Sequence, residues 1–221
     1  MSARARIGFA TIGQSPRSDT VPAIVAELGV PVEIVEVGAL DGLDDAAIAK
    51  LGPKPGEYIF ATRLADGRQA VLGKSAAEER LAKVLKSLDR QGLDMIVVLC
   101  VGTQLPSLEH TLLIEPQRIV DGLTAALSHN AKTLGVMVPL EQQVKSFHLD
   151  AEVNADLRVT HASPYEGDRF ADAGKELAEC DLVVMHCMGY TAAMREKVAA
   201  ASGAPTLLAP ALVAGVLKQF F

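Results

Sequence analysis

The chain has 221 residues and a net charge of −6, with 49% hydrophobic, 22% charged and 4% aromatic residues and no tryptophan. That balance describes an Ala/Val/Leu-rich globular chain with a large core and excludes a disordered or fibrous one; it offers no basic face for nucleic acid and no apolar run long enough to span a membrane. Three cysteines, an odd number, and a Met1-Ser-Ala-Arg-Ala-Arg start without an apolar segment point to a reduced, cytoplasmic setting.

Ile7 to Ile12 reads as a first buried strand, ending at the polar loop Gly13-Gln14-Ser15-Pro16-Arg17-Ser18. A helix follows, with Asp19 or Thr20 as cap, Pro22 in its first turn and Gly29 as its stop. Val32 to Val37 is a second strand and Leu43 to Leu51 a short helix. Tyr58 to Leu64 and Gln69 to Leu72 flank an Asp-Gly pair, the signature of a hairpin, which forms an insertion near residues 58–72. Ser75-Ala-Ala-Glu78 is a capping box for a helix through Gln91. A strand ends at Cys100, residues 101–110 form a loop or short helix, and Glu115-Pro116 starts a helix that places Ile119, Val120, Leu123 and Leu127 inward.

Thr133 to Val138 opens the second half like Arg6 to Thr11 opens the first. Helices near 140–147 and 170–179 bracket a strand near 157–160, and a strand through Met185 ends on Cys187. Thr191 caps a helix from Ala192 to Ser202; a strand at Thr206 to Leu208 and a helix from Pro210 to Phe221 complete the chain. Strands alternate with helices throughout, so the expected fold is α/β: two pseudo-symmetric lobes, each a mostly parallel sheet flanked by helices, with an active-site cleft between them. The lobes are expected at 1–129 and 130–221, with the last helix free to pack on the first lobe.

The stretch Leu93-Asp94-Met-Ile-Val97-Val-Leu-Cys100-Val-Gly102-Thr103 recurs as Leu182 and its neighbours, Asp181-Leu-Val-Val184-Met-His-Cys187-Met-Gly189-Tyr190, at an offset of 87 residues. Gly8 and Gly135 repeat at an offset of 127, the excess matching the hairpin and its flanks. A repeat that carries a thiol to the carboxyl end of a buried strand twice marks Cys100 and Cys187 as chemistry, since ligands of open parallel sheets bind there. Cys180, just before a strand, reads as a small hydrophobe. The helix start after Cys187 favours a thiolate there. His186 alternates with Cys187 along the strand and points away from it.

Other cysteine chemistries lack their partners. There is no Cys-x-x-Cys or clustered His for zinc, no phosphatase Cys-x5-Arg loop, and no glycine-rich nucleotide fingerprint, so neither metal nor cofactor is expected. Gln14, Ser15 and Arg17 after the first strand, Thr103 after Cys100, and Tyr190 and Thr191 after Cys187 are the available donors for a substrate carboxylate.

The run Thr11-Ile-Gly13-Gln14-Ser15-Pro16-Arg17-Ser-Asp19, the second cysteine stretch and the length together resemble the AroM family of bacterial proteins across nearly the whole chain. That family looks like a distant branch of the aspartate/glutamate/hydantoin racemase superfamily. The resemblance implies a two-lobed enzyme with one cysteine from each lobe facing the substrate, at the places of Cys100 and Cys187, and commonly a homodimer. It departs from glutamate racemases after each cysteine: Val101-Gly102-Thr103 delays the threonine by one place, and Met188-Gly189-Tyr190 lacks their histidine. The expected function is a cofactor-independent racemase or epimerase acting on a small carboxylate, an amino acid or derivative. The alternatives are a single-cysteine isomerase or decarboxylase of maleate isomerase or arylmalonate decarboxylase type, and a non-catalytic carboxylate binder.

Overall fold

A computed structural model describes residues 4–221, which divide into two compact units. One runs to Pro116 and includes the last residue, Phe221; the other spans Gln117–Phe220.

The first unit contains β1 (Arg6–Thr11), α1 (Val21–Leu28), β2 (Glu33–Gly38), α2 (Asp45–Ala49), β3 (Ile59–Arg63), β4 (Gln69–Gly73), α3 (Lys74–Leu88), β5 (Met95–Val98) and β6 (Leu112–Ile114). Its main sheet is wholly parallel in the order β2-β1-β5-β6, and β3 and β4 form the expected antiparallel hairpin. Gly29 ends α1 in the left-handed conformation that glycine tolerates. The second unit contains α4 (Pro116–Leu127, whose first residue lies at the division), β7 (Thr133–Val138), α5 (Glu141–Val144) and β8 (Asp156–His161). α6 (Phe170–Glu176), β9 (Leu182–Met185), α7 (Ala192–Ser202), β10 (Thr206–Leu208) and α8 (Ala209–Leu217) complete it. Its sheet is parallel in the order β10-β9-β7-β8.

Aligning β1 with β7 makes the two sheet orders the same, and the pairing register repeats with the sequence offsets. Gly8 lies opposite Ile96, and Gly135 opposite Val183, 127 and 87 residues later. The repeated aspartates do the same work: the Asp94 carboxylate accepts the Arg6 amide at 2.7 Å, and the Asp181 carboxylate accepts the Thr133 amide at 2.9 Å. Each glycine exists for close packing. A Cβ on Gly8 would stand 2.7 Å from Leu93, and one on Gly135 3.1 Å from the Cys180 sulfur. Cys180 therefore takes the place of Leu93 in the second core, the small-hydrophobe role expected of it, and burial pushes its thiol pKa up.

Several local expectations are corrected. Ser75 does not cap α3; Gly73 is the cap residue and the Ser75 amide donates to Glu57, whose carboxylate also takes the Lys54 amide. Those amides hold the Glu57 pKa down at about 2. The strand β6 lies between the loop expected at 101–110 and the helix start at Glu115, in a stretch to which the sequence assigned no element. On α4 the inward face carries Val120, Asp121 and Thr124, whereas Leu127 is 59% exposed. The two units divide at Pro116 and Gln117, so α4 lies with the second unit, where Asp121 meets His186.

Candidate active site

The carboxyl ends of β1, β2 and β5 bring together the polar residues of the first unit. The loop after β1 is braced from all sides. Gln14 donates through Nε2 to the Leu40 and Leu43 carbonyls and accepts the Ala65 amide at Oε1, tying the loop to the segment after β2 and to the hairpin turn. The Ser15 amide and hydroxyl both donate to Asp41, at 2.8 and 2.6 Å. Gly13 and Gly38 allow this crowding: a Cβ on either would come within 2.5 Å of backbone oxygen.

Arg17, expected among the donors to a substrate carboxylate, is buried within the loop. It is 1% exposed, its guanidinium grips the Asp19 carboxylate with two bonds of 2.9 and 2.8 Å, and it also donates to the hydroxyls of Thr11 and Thr20. The arginine backbone amide donates to Glu36 at 2.6 Å. Burial would raise the Asp19 pKa, but the hydrogen bonds and charge of Arg17 outweigh it and hold it low. In this arrangement Arg17 shapes the loop that carries Ser15.

Cys100 follows β5, half-buried, with its sulfur 3.3 Å from the Val101 carbonyl oxygen. Gly102 has φ of 88°, a conformation suited to glycine, and lies under the edge of Phe60. Thr103 is buried beyond it.

In the second unit Cys187 follows β9, with its sulfur accepting the Gly189 amide at 3.4 Å. It belongs to the apolar cluster of Met185, Phe170 and Tyr190. Tyr190 is also a wall rather than an exposed donor: it is buried, and its hydroxyl donates to the Ala162 carbonyl at 2.8 Å. Burial first, then the neighbouring Cys187 and Tyr165, push its pKa well above the usual phenol value. Thr191 caps α7, accepting the Met194 amide, as expected. Tyr165, from the loop after β8, reaches Gly189; a Cβ on that glycine would stand 2.2 Å from the phenol oxygen.

His186 points away from Cys187, as alternation requires, and its Nε2 lies 2.7 Å from Asp121 of α4. Both are nearly inaccessible, at 5% and 2%. The other Asp121 oxygen accepts Gln117 Nε2 and the Asp150 amide, and Phe147 meets the imidazole edge-on. Sequence reasoning missed Asp121, Asp41, Glu36 and Tyr165. A carboxylate between Val120 and Thr124 on an otherwise apolar helix face was the one available signal for Asp121. Among the described residues, no group of three or more His, Cys, Asp or Glu is arranged to hold a metal ion, and no helix is long and apolar enough to cross a membrane.

A family model described as AroM protein matches residues 7–221. No curated protein matches the chain. Among solved structures, the chain is similar to glutamate racemase from Aquifex pyrophilus at 17% identity, with a TM-score of 0.60 and coverage of 98% of this chain and 84% of that one. Glutamate racemase from Francisella tularensis in complex with D-glutamate gives 12% identity, a TM-score of 0.58 and coverage of 98% and 81%. A mutant maleate cis-trans isomerase from Nocardia farcinica, carrying a covalently bound succinylcysteine intermediate, gives 13%, 0.55 and coverage of 98% and 92%. At these identities the likeness shows the shared fold.

Proposed function

The chain belongs to the AroM protein family, with the fold of racemases and isomerases, and we propose that it is a cofactor-independent racemase or epimerase of a small carboxylate, using Cys100 and Cys187 on one α-carbon. One observation carries the reading: in two units of the same strand order and register, the equivalent strand is followed at the same place by a cysteine outside any disulfide. Equivalent positions in a pseudo-symmetric pair suit a reaction whose two directions are mirror images.

One thiolate takes the α-proton, the electron pair stays on the carboxylate-stabilised carbon, and the opposite thiol delivers its proton to the other face. The net change is inversion at carbon and exchange of protonation between the sulfurs. Ser15, Thr103 and Thr191 are the hydroxyls proposed to hold the carboxylate, with Gln14 bracing the Ser15 loop, Arg17 beneath it and Tyr190 behind Cys187. A second reading, a single-cysteine isomerase or decarboxylase, is favoured by the unlike polar contacts of the two sulfurs.

Incubation in D2O with pools of amino acids, hydantoins and dicarboxylates, followed by mass spectrometry, tests both. Racemase chemistry places deuterium at the α-carbon, and Cys100→Ser and Cys187→Ser each abolish inversion. Inversion that survives one of these substitutions assigns the single-cysteine mechanism; binding without exchange or turnover overturns both readings.

A further inference from the structure

Hydroxyls such as that of Ser15 can orient a carboxylate but bring no positive charge to it. Three arginines of the first unit come from the loop after β1 and from the hairpin docked on it. Arg17 is closed off, 1% exposed and paired with Asp19 at 2.8 Å. Arg68 is shared between Asp66 at 2.6 Å and Asp45 at 3.0 Å. Arg63, at the end of β3, differs from both. It is half-buried, its guanidinium donates to the Leu64 carbonyl at 3.4 Å, and among the described residues it forms no ion pair. A guanidinium carries five donors in a planar fork, so most of this one remains for an anion.

The backbone fixes where that charge stands. The Arg63 carbonyl accepts the Gln14 amide at 3.1 Å, and the Gln14 side chain takes the Ala65 amide two residues on. A Cβ on Gly13 would stand 2.3 Å from the Arg63 carbonyl oxygen and 2.4 Å from the Thr62 hydroxyl, so the hairpin strand and the loop carrying Ser15 interlock at backbone level. A Cβ on Gly67 would lie 3.5 Å from an Arg63 terminal nitrogen, which sets the guanidinium beside the hairpin turn. Its charge also reaches the loop after β1: against the burial that would raise the Asp19 pKa, Arg63 adds to the lowering by Arg17.

We propose that Arg63 supplies the positive charge that holds the substrate carboxylate at the loop after β1, the place that the buried Arg17 does not fill. The proposal deepens the racemase reading and rests on it for the identity of the site. Its ligand is a small carboxylate gripped by the guanidinium fork, and the inserted hairpin thereby becomes part of the binding site.

The probes are sodium succinate, sodium malonate and sodium L- and D-glutamate, titrated into the intact isotope-labelled protein and followed by amide chemical shifts, with sodium chloride at matched ionic strength as reference. Wild type is expected to bind at least one probe more tightly than chloride. Arg63→Ala is expected to weaken that binding about 10- to 100-fold, the scale of a charged hydrogen-bonded contact, and Arg63→Lys to weaken it less. Arg68→Ala, on the same hairpin, leaves it within about twofold, because Arg68 is already spent on its own carboxylates. Without ligand, the Arg63→Ala thermal midpoint stays within about 2 °C of wild type. Arg63→Gln, which keeps the stem against the turn, takes the place of alanine if alanine unfolds the protein. Unchanged binding in the Arg63 variants, equal loss in Arg68→Ala, or no probe bound above chloride overturns the assignment. The racemase reading fails separately: no α-deuterium in D2O, with binding still lost in Arg63→Ala, removes the chemistry and leaves the anchor standing.

Discussion

Arg17 and Asp121 are each the centre of a buried polar group, and their removal has different consequences from loss of a surface charge. Arg17→Ala removes the guanidinium donors from the Asp19 carboxylate and from the Thr11 and Thr20 hydroxyls. A cost of about 3–5 kcal/mol is expected by chemical denaturation, the scale of breaking a buried pair. The Asp19 pKa is lowered from 3.8, so this stabilisation is present above that pH and lost as pH falls through the folded value. Arg17→Ala should flatten that acid limb; an unchanged limb would show that Arg17 does not hold the Asp19 carboxylate ionised. At the other centre, Asp121→Ala is expected to cost about 3 kcal/mol, while Asp121→Leu with His186→Leu costs less than the two single changes together. Additive losses would show that the pair is not coupled. Leu99 occupies the position equivalent to His186 in the first unit, so leucine there fits the fold. Sequence alone concealed both centres, because arginine and aspartate are usually exposed. Two of the partners of Asp121, His186 and Asp150, lie 65 and 29 residues away.

At the scale of elements, the buried strands β1, β5, β7 and β9 were legible as continuous apolar runs. The three residues of β6 were too few to carry a pattern. The face of α4 was read in part: hydrophobic spacing nominated Ile119, Val120, Leu123 and Leu127, of which Val120 is buried, while Asp121 and Thr124 bring a polar stripe inward. The start of α3 shows the same competition: the Ser75 box was present in sequence, but Glu57 reached the amide first. Glu57→Ala should therefore lower the thermal midpoint more than Ser75→Ala. The Glu57 pKa of about 2 lies below its ordinary 4.5, so the difference between wild type and Glu57→Ala is full above pH 4.5 and fades as pH falls toward 2. Equal shifts for the two substitutions would restore the serine cap.

Over the whole molecule, the repeat was readable because two sequence offsets, 87 and 127, are also offsets in strand register. The equivalence extends to function in folding: Asp94→Ala should speed hydrogen exchange at the Arg6 amide, and Asp181→Ala at the amides of Lys132 and Thr133. Unchanged protection at either place would mean that those carboxylates do not hold the strand starts. The donors around the cysteines were less legible than the cysteines themselves, since whether a loop side chain faces outward depends on partners from other loops, as Gln14, Ser15 and Tyr190 show.

The phenol of Tyr165 fills the space where a side chain at position 189 would begin. The two positions are thus one steric unit shared by two distant segments, and natural variation should treat them so. Across a deep set of related sequences, an aromatic at 165 should accompany glycine at 189, and side chains at 189 should occur where 165 is small. Independent variation at the two positions would show that the phenol moves aside at little cost.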